Sequence, residues 1–219
     1  MKTTKLNLLA VLILIAGMTG CATPQHYDYS AFQQHPPRSI LVIPPLNNSV
    51  EAGAPYIYLS TITRPLAECG YYVFPAAVID AFLKDNGMPT PGEMNTVPLD
   101  KVREVIGADA VLFVTIEDWG QKYTVLQSTT VVHARARLID VQTGTTLWEG
   151  TALAKQGSGD GGGGLVGMAV AAVVSQVVDS IVDQTRGVSA MANTNMVFNA
   201  NMGLPYGPYN PDSATDPRR

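Results

Sequence analysis

Two stretches near the middle of the chain, approximately Gln127 to Val141 and Thr145 to Lys155, alternate apolar with polar residues and are joined by Gln142-Thr143-Gly144. Nothing else in the sequence restricts the fold as much. A period of two puts successive side chains on opposite faces of a strand, and a glycine in the connection supplies the positive φ that a tight hairpin needs. The spacing predicts a long antiparallel ribbon with two unlike faces. On its first strand Val132, Ala134, Ala136 and Leu138 share one face, where small alanines leave room for a helix to approach closely. Val131, His133, Arg135, Arg137 and Ile139 share the other. The row His133, Arg135, Arg137 is a candidate surface for an anion or a partner; a solvated sheet face is the alternative.

Before the ribbon, strands interleave with helices. Ser39-Ile-Leu-Val-Ile-Pro44 is a continuous β-branched apolar run, as expected of a central strand covered on both faces. Tyr56 to Cys69 places Leu59, Ile62, Leu66 and Cys69 at helical spacing, with Gly70 as the cap and Pro65 predicting a kink or two short pieces. Tyr71 to Phe74 reads as a short strand, Ala76 to Asn86 as a second helix, Leu99 to Ile106 as a third, and Ala108 to Ile116 as another buried strand. The expected class is α/β, a mixed sheet with helices packed on it.

Lys2 and Lys5 precede an apolar run from Leu8 to Met18, and Thr19 and Gly20 follow it. Crossing a bilayer as a helix takes roughly 20 apolar residues, so the run is too short. Its charged, apolar, small order is that of a secretory signal peptide. Met18-Thr19-Gly20-Cys21 resembles the bacterial lipobox, with Met18 in place of the usual Leu. The resemblance implies cleavage between Gly20 and Cys21 and lipidation of the Cys21 sulfur by palmitate-class chains, several of which hold where one binds only reversibly. Ala22, where an Asp would retain such proteins at the inner membrane, favours the outer membrane, with the domain facing the periplasm.

The organisation expected is a signal peptide over 1–20, a lipidated cysteine and tether over 21–37, an α/β domain over 38–187 and an irregular tail over 188–219. Sixteen flexible tether residues would reach roughly 20 to 25 Å. The chain of 219 residues carries 14 basic and 18 acidic residues, and losing Lys2 and Lys5 leaves 12 against 18, or −6. That balance argues against nucleic acid as a partner, since binding phosphates takes a basic face. With Cys21 lipidated, Cys69 has no partner for an internal disulfide and reads as a small buried apolar residue.

Gly157-Ser-Gly-Asp-Gly-Gly-Gly-Gly164 invites a phosphate-loop reading, but no Lys-Ser or Lys-Thr pair follows, and Asp160 would repel an anion. A polar hinge over 157–164 is the better account. The final helix, 165–185, sets Val166, Val170, Val173, Val177 and Ile181 on one stripe. It is expected to dock on the sheet, with association between copies or with a partner as the alternative; Asp179 and Asp183 argue against a spanning helix.

His26, His35 and His133 show no metal-ligand spacing, so no metal and no cofactor is expected. No Gly-x-Ser-x-Gly elbow is present. Glu117 and Asp118 are neighbours on a strand, which should send them to opposite faces and spoil them as an acid-base pair. These observations argue against an enzyme.

Four segments carry a resemblance: Ser39-Ile-Leu-Val-Ile-Pro-Pro45, Leu66-Ala-Glu-Cys-Gly-Tyr-Tyr-Val-Phe74, Gly107-Ala-Asp-Ala-Val-Leu112 and Leu138-Ile-Asp-Val-Gln-Thr-Gly-Thr-Thr-Leu-Trp-Glu-Gly150. Together with Pro44-Pro-Leu-Asn-Asn48 and Thr63-Arg-Pro-Leu66, they resemble a family of bacterial outer-membrane lipoproteins of unassigned function. That family is similar in fold to the TolB amino-terminal domain and to the curli secretion lipoprotein CsgG. The resemblance covers about residues 38 to 155 and implies an accessory role in envelope transport, secretion or assembly, with another envelope lipoprotein, CsgG-like, as partner. It implies no catalytic residues. Two further readings stand beside this one: a small-ligand carrier or cryptic hydrolase with a pocket at the strand ends, and a subunit of a self-assembled export channel. Arg135 and Arg137 count against a barrel wall, where an arginine facing lipid costs about 2 to 4 kcal/mol at mid-depth.

Overall fold

The computed structural model describes residues 27–123, 128–157 and 181–219. In chain order these form α1 (Ser30–Gln34), β1 (Ser39–Val42), β2 (Leu46–Asn47), α2 (Ala54–Glu68), β3 (Tyr72–Val73), α3 (Ala76–Asp85), α4 (Pro91–Met94), α5 (Leu99–Lys101), β4 (Ala110–Tyr123), β5 (Ser128–Asp140), β6 (Thr146–Gly157) and α6 (Ile181–Val197). One mixed sheet runs β3-β1-β4-β5-β6, with β2 also paired to β4. The α/β class expected from the sequence is what the structure shows.

The apolar run at Ser39 does what a doubly covered strand must. Ile40 and Val42 enter one core, Leu41 and Ile43 the other, and all four are buried. Pro44 and Pro45 have no N–H to donate, so the parallel ladder with β4 stops there. It resumes one step on, where Leu46 pairs with Thr115 and Asn47 with Ile116.

The ribbon is antiparallel, as its alternation requires: Ala134 pairs with Ile116 on one side and Ala152 on the other, Ala136 with Val114 and Gly150. A bulge interrupts the register between Ile116 and Asp118. The extra residue shifts the phase of β4, so Trp119, not Asp118, follows Ile116 into the core.

Helices α2 and α6 close one face of the sheet. The alanine face of β5 meets α6 there: Ala134, Ala136, Ala152 and Leu138 pack with Val188, Ala192 and Met196. Gly150 is required at this contact, because a Cβ would strike both Trp148 and Met196. Helix α2 runs through Pro65 as one element, so the expected division into two pieces does not occur. Burial of Tyr58, Leu59, Ile62, Pro65 and Leu66 offsets the roughly 3 kcal/mol that an internal proline costs. Between α2 and α6 lies a polar seam that hydrophobic spacing did not reveal: Thr61 Oγ1 meets Ser189 Oγ at 2.8 Å and accepts from Asn193 Nδ2 at 3.0 Å.

The assignment of 188–219 to an irregular tail is corrected. Helix α6 continues to Val197, and the residues beyond it, though mostly without regular structure, pack on the core. Trp148 Nε1 donates to the Met202 carbonyl at 2.8 Å, and Leu204 is buried. The Tyr71 hydroxyl donates to Pro205 O, and Gly207 N–H to Cys69 O at 2.9 Å. A Cβ on Gly207 would collide with the Gly70 backbone, so only glycine lets the segment approach. Asp216 holds it shut, accepting from Tyr206 N–H at 2.7 Å and from both Nε and Nη2 of Arg218. Asparagine, proline and glycine content suggests disorder, whereas these residues serve turns and close backbone contacts.

The third expected helix starts as α5 and passes directly into a π-helical turn over Val102–Ile106, capped by left-handed Gly107. With α3 and α4 it covers the second face only over part of the sheet, around Leu41, Ile43, Val111 and Val141.

Candidate functional site

Because that cover stops short, the far half of the second face stands open among the described residues. Phe113 and Thr115 from β4, His133, Arg135 and Arg137 from β5, and Glu149 and Thr151 from β6 floor a depression of about 710 Å³, with Leu46, Tyr27 and Met202 at its rim. The structure thus brings His133, Arg135 and Arg137 together on one face, as the alternation predicted. Asn95 also lines it, but its amide donates to the carbonyls of Pro44 and Pro91, which makes it a support for the wall.

Arg135 Nε lies 3.5 Å from Glu117 Oε1, with the arginine side chain 70% exposed. An ion pair so hydrated contributes about 0 to 1 kcal/mol and leaves the guanidinium available. Arg137 stands opposite Glu149 in register and makes no ion pair among the described residues. The two carboxylates at the bulge require a correction. Glu117 reaches Arg135, and Asp118 pairs in register with His133, so both lie toward the open face and not on opposite faces. The bulge cancels one step of the alternation on which that expectation rested. Asp118 is taken up by Lys122 Nζ at 2.8 Å, and Glu117 also accepts from Asn48 Nδ2 at 3.2 Å. No signal in the sequence located the bulge.

Tyr27 ties the start of the domain to this face. Its hydroxyl accepts the Glu149 N–H at 2.8 Å, and burial pushes its pKa up. Tyr29 donates to Gly203 O at 2.7 Å, and Phe32 on α1 is buried. The tether assigned to 21–37 is therefore corrected from Tyr27 onward: those residues belong to the domain. Tyr and Phe in an aperiodic stretch were the available signal.

Gly20, Cys21, His26, residues 158–164 of the glycine segment, Val166, Val170, Val173 and Val177 lie outside the described residues. Gly157 ends β6, and Ile181 opens α6. His35 is exposed at the end of α1. Cys69 is buried, its thiol pushed up to about 12 by desolvation, which suits a packing role. Among the described residues no group of three His, Cys, Asp or Glu side chains could hold a metal ion, and no helix is long and apolar enough to cross a membrane.

The profile of a lipoprotein family described as "Putative lipoprotein GNA1162-like" matches residues 27–209. The chain belongs to the GNA1162-like lipoprotein family. Membership reaches from Tyr27 through α6 to Tyr209, correcting the narrower span of about 38 to 155 inferred from motifs. A relative from Neisseria meningitidis serogroup B, "Putative lipoprotein NMB1124/NMB1162", is 40% identical over 197 residues, covering 90% of this chain and 91% of its own length. The crystal structure of lipoprotein GNA1162 from Neisseria meningitidis aligns at a TM-score of 0.55 and 44% identity, over 66% of this chain and all of that one. A PelC dodecamer from Paraburkholderia phytofirmans aligns at only 0.44 and 18% identity, over 72% and 85% of the two chains, a likeness that bears on no functional point.

Proposed function

We propose that this chain is a lipid-anchored, non-enzymatic interaction module of the outer membrane, facing the periplasm and docking a partner of the envelope transport, secretion or assembly machinery on its open sheet face. The observation that carries the reading is the half-covered sheet, which leaves Arg135, Arg137 and His133 beside the apolar Phe113 and Leu46 with no element over them among the described residues. A face that mixes guanidinium groups with apolar surface suits a protein partner bearing carboxylates, since arginine is favoured at interfaces for its planar donor fork. A CsgG-like lipoprotein is the partner class implied by the motif resemblance.

Anchorage belongs to the same reading, through cleavage before Cys21 and acylation of its sulfur. Five residues lie between Cys21 and Tyr27, and the six steps, at 3.3 to 3.6 Å each, span about 20 Å when fully extended. An anchored domain would hold its open face close to the bilayer, so the partner is one that also lies at the membrane surface.

The test is photocrosslinking in intact cells from probes at Thr115 and at Arg137. A discrete adduct with one other envelope polypeptide, abolished by Arg135→Glu in the Thr115-probe protein, is the expected result. Equal labelling from a probe at exposed Val105, on the helical layer over the other half of the same face, would sink the proposal, as would an adduct indifferent to Arg135. Mass spectrometry of the mature amino terminus checks the anchor separately. A second reading, a carrier for a small anion, rests on the volume of the depression, which lies within the usual range for ligand sites. A saturable calorimetric signal with a small carboxylate or phosphate, lost in Arg137→Ala, would favour it.

A further inference from the structure

Strand β6 is the last in the sheet order, so among the described residues one of its edges has no strand beside it. The hydrogen bond from Glu149 N–H to the Tyr27 hydroxyl shows which backbone groups point outward. In an antiparallel pair the outward groups alternate. Glu149, Thr151, Leu153 and Lys155 therefore direct N–H and C=O away from β5, while Gly150, Ala152 and Ala154 bond across to it. Tyr27 occupies the edge at Glu149. At Thr151, Leu153 and Lys155 no hydrogen bond to the outward groups is made among the described residues.

An open edge of this length is one that proteins ordinarily blunt, with a proline, a bulge or an inward charge. No proline or bulge interrupts Thr151 to Lys155, and its one charge, Lys155, sits at the end of the run. Its midpoint is instead Leu153, 51% exposed and the only large apolar side chain of this edge so displayed among the described residues. Ala152 and Ala154 flank that leucine symmetrically, with Thr151 and Lys155 beyond them.

We propose that β6 pairs antiparallel with β6 of a second copy, across a twofold axis at Leu153. Leu153 then faces its own counterpart, and Thr151 faces the other copy's Lys155, with six main-chain hydrogen bonds expected from the three outward residues of each strand. The register brings Lys155 diagonally past Glu149 of the other copy, opposite charges at a distance long side chains can bridge. Tyr27 fixes how far the pairing can extend, since it already takes the next outward donor. Sliding by two residues in one direction would set Lys155 opposite Glu149 and carry the partner strand into Tyr27, while sliding by four in the other would put Lys155 against its own copy. The pairing joins two five-stranded runs into one sheet and sets the two open faces side by side, so a partner docked there would meet both. The inference rests on strand register and does not need the docking proposed above.

Disulfide trapping in the full-length, lipid-anchored protein under mild oxidation tests it. Leu153 is exposed, so Leu153→Cys should fold; Cys69 is buried and serves as the unreactive background. Leu153→Cys alone should give a dimer as the main species. Thr151→Cys alone should give at least fivefold less, and Thr151→Cys with Lys155→Cys should restore it. Leu153→Glu and Leu153→Lys should each abolish association, and mixing them should recover it. A Leu153→Cys chain that stays monomeric, that crosslinks to a different polypeptide, or that crosslinks no better than Thr151→Cys overturns the proposal.

Discussion

The two sides of β5 share one backbone and one set of strand neighbours, yet answer to different constraints. On one side Val132, Ala134, Ala136 and Leu138 are essentially without exposure, and each has a size set by what lies above it. On the other, one residue along each time, His133, Arg135 and Arg137 meet solvent, and nothing in the packing dictates their identity. The covered side specifies the fold; the bare side is free to be shaped by what binds it.

The comparison breaks most directly at Trp148. It is fully buried on the covered side and its indole holds Met202, so Trp148→Ala should cost about 3 to 5 kcal/mol and release the carboxy-terminal segment. Urea denaturation read alongside proteolysis after Val197 would check both effects. A loss below 1 kcal/mol would mean that the covered side does not govern stability.

A smaller effect should appear with acid. Burial works to raise the Asp216 pKa, but hydrogen bonds from Arg218, Tyr206 N–H and Arg218 N–H outweigh it, and the net direction is down from 3.8. A carboxylate with a depressed folded pKa stabilises above its unfolded value and loses that contribution as pH falls through the folded one. The clasp should therefore hold at pH 5 and above and weaken progressively below pH 3.8. Asp216→Asn should cost about 1 to 3 kcal/mol at pH 7 and flatten the acid limb of a plot of stability against pH. An unchanged limb would assign acid sensitivity elsewhere.

The smallest change in stability is expected on the bare side. Arg135→Ala with Arg137→Ala should move unfolding by no more than about 0.5 kcal/mol while removing the crosslink from Thr115. Calorimetry beside the crosslinking assay separates the two. If the double variant unfolds several degrees earlier, the guanidinium groups are structural and the contrast between the sides fails.

How much of this was legible in the sequence depends on what periodicity encodes. The doubly buried run at Ile40, the ribbon, and the alanine face awaiting a helix could be read because burial leaves a repeating mark. The bulge at Glu117 could not, because one extra residue has no composition of its own, and it reversed the expectation for Asp118. The seam of Thr61, Ser189 and Asn193 hid for a related reason: polar residues buried between two helices look like surface in a sequence. The carboxy-terminal segment was misjudged because backbone carbonyls do the holding there, and they belong to every residue type. His133, Arg135 and Arg137 were found on one face from spacing alone. That the face is open could not be found so, since it depends on where the helices of the other layer stop.

The bond between Tyr29 and Gly203 links residues 174 positions apart, one near the first turn of the domain and the other within its last stretch. A polypeptide wired in this way cannot finish folding while its end is still being made or threaded through a pore. Until Met202, Leu204 and Arg218 emerge, Trp148 and Tyr71 lack their closing partners. Such a chain can close its fold only once its last residues are available.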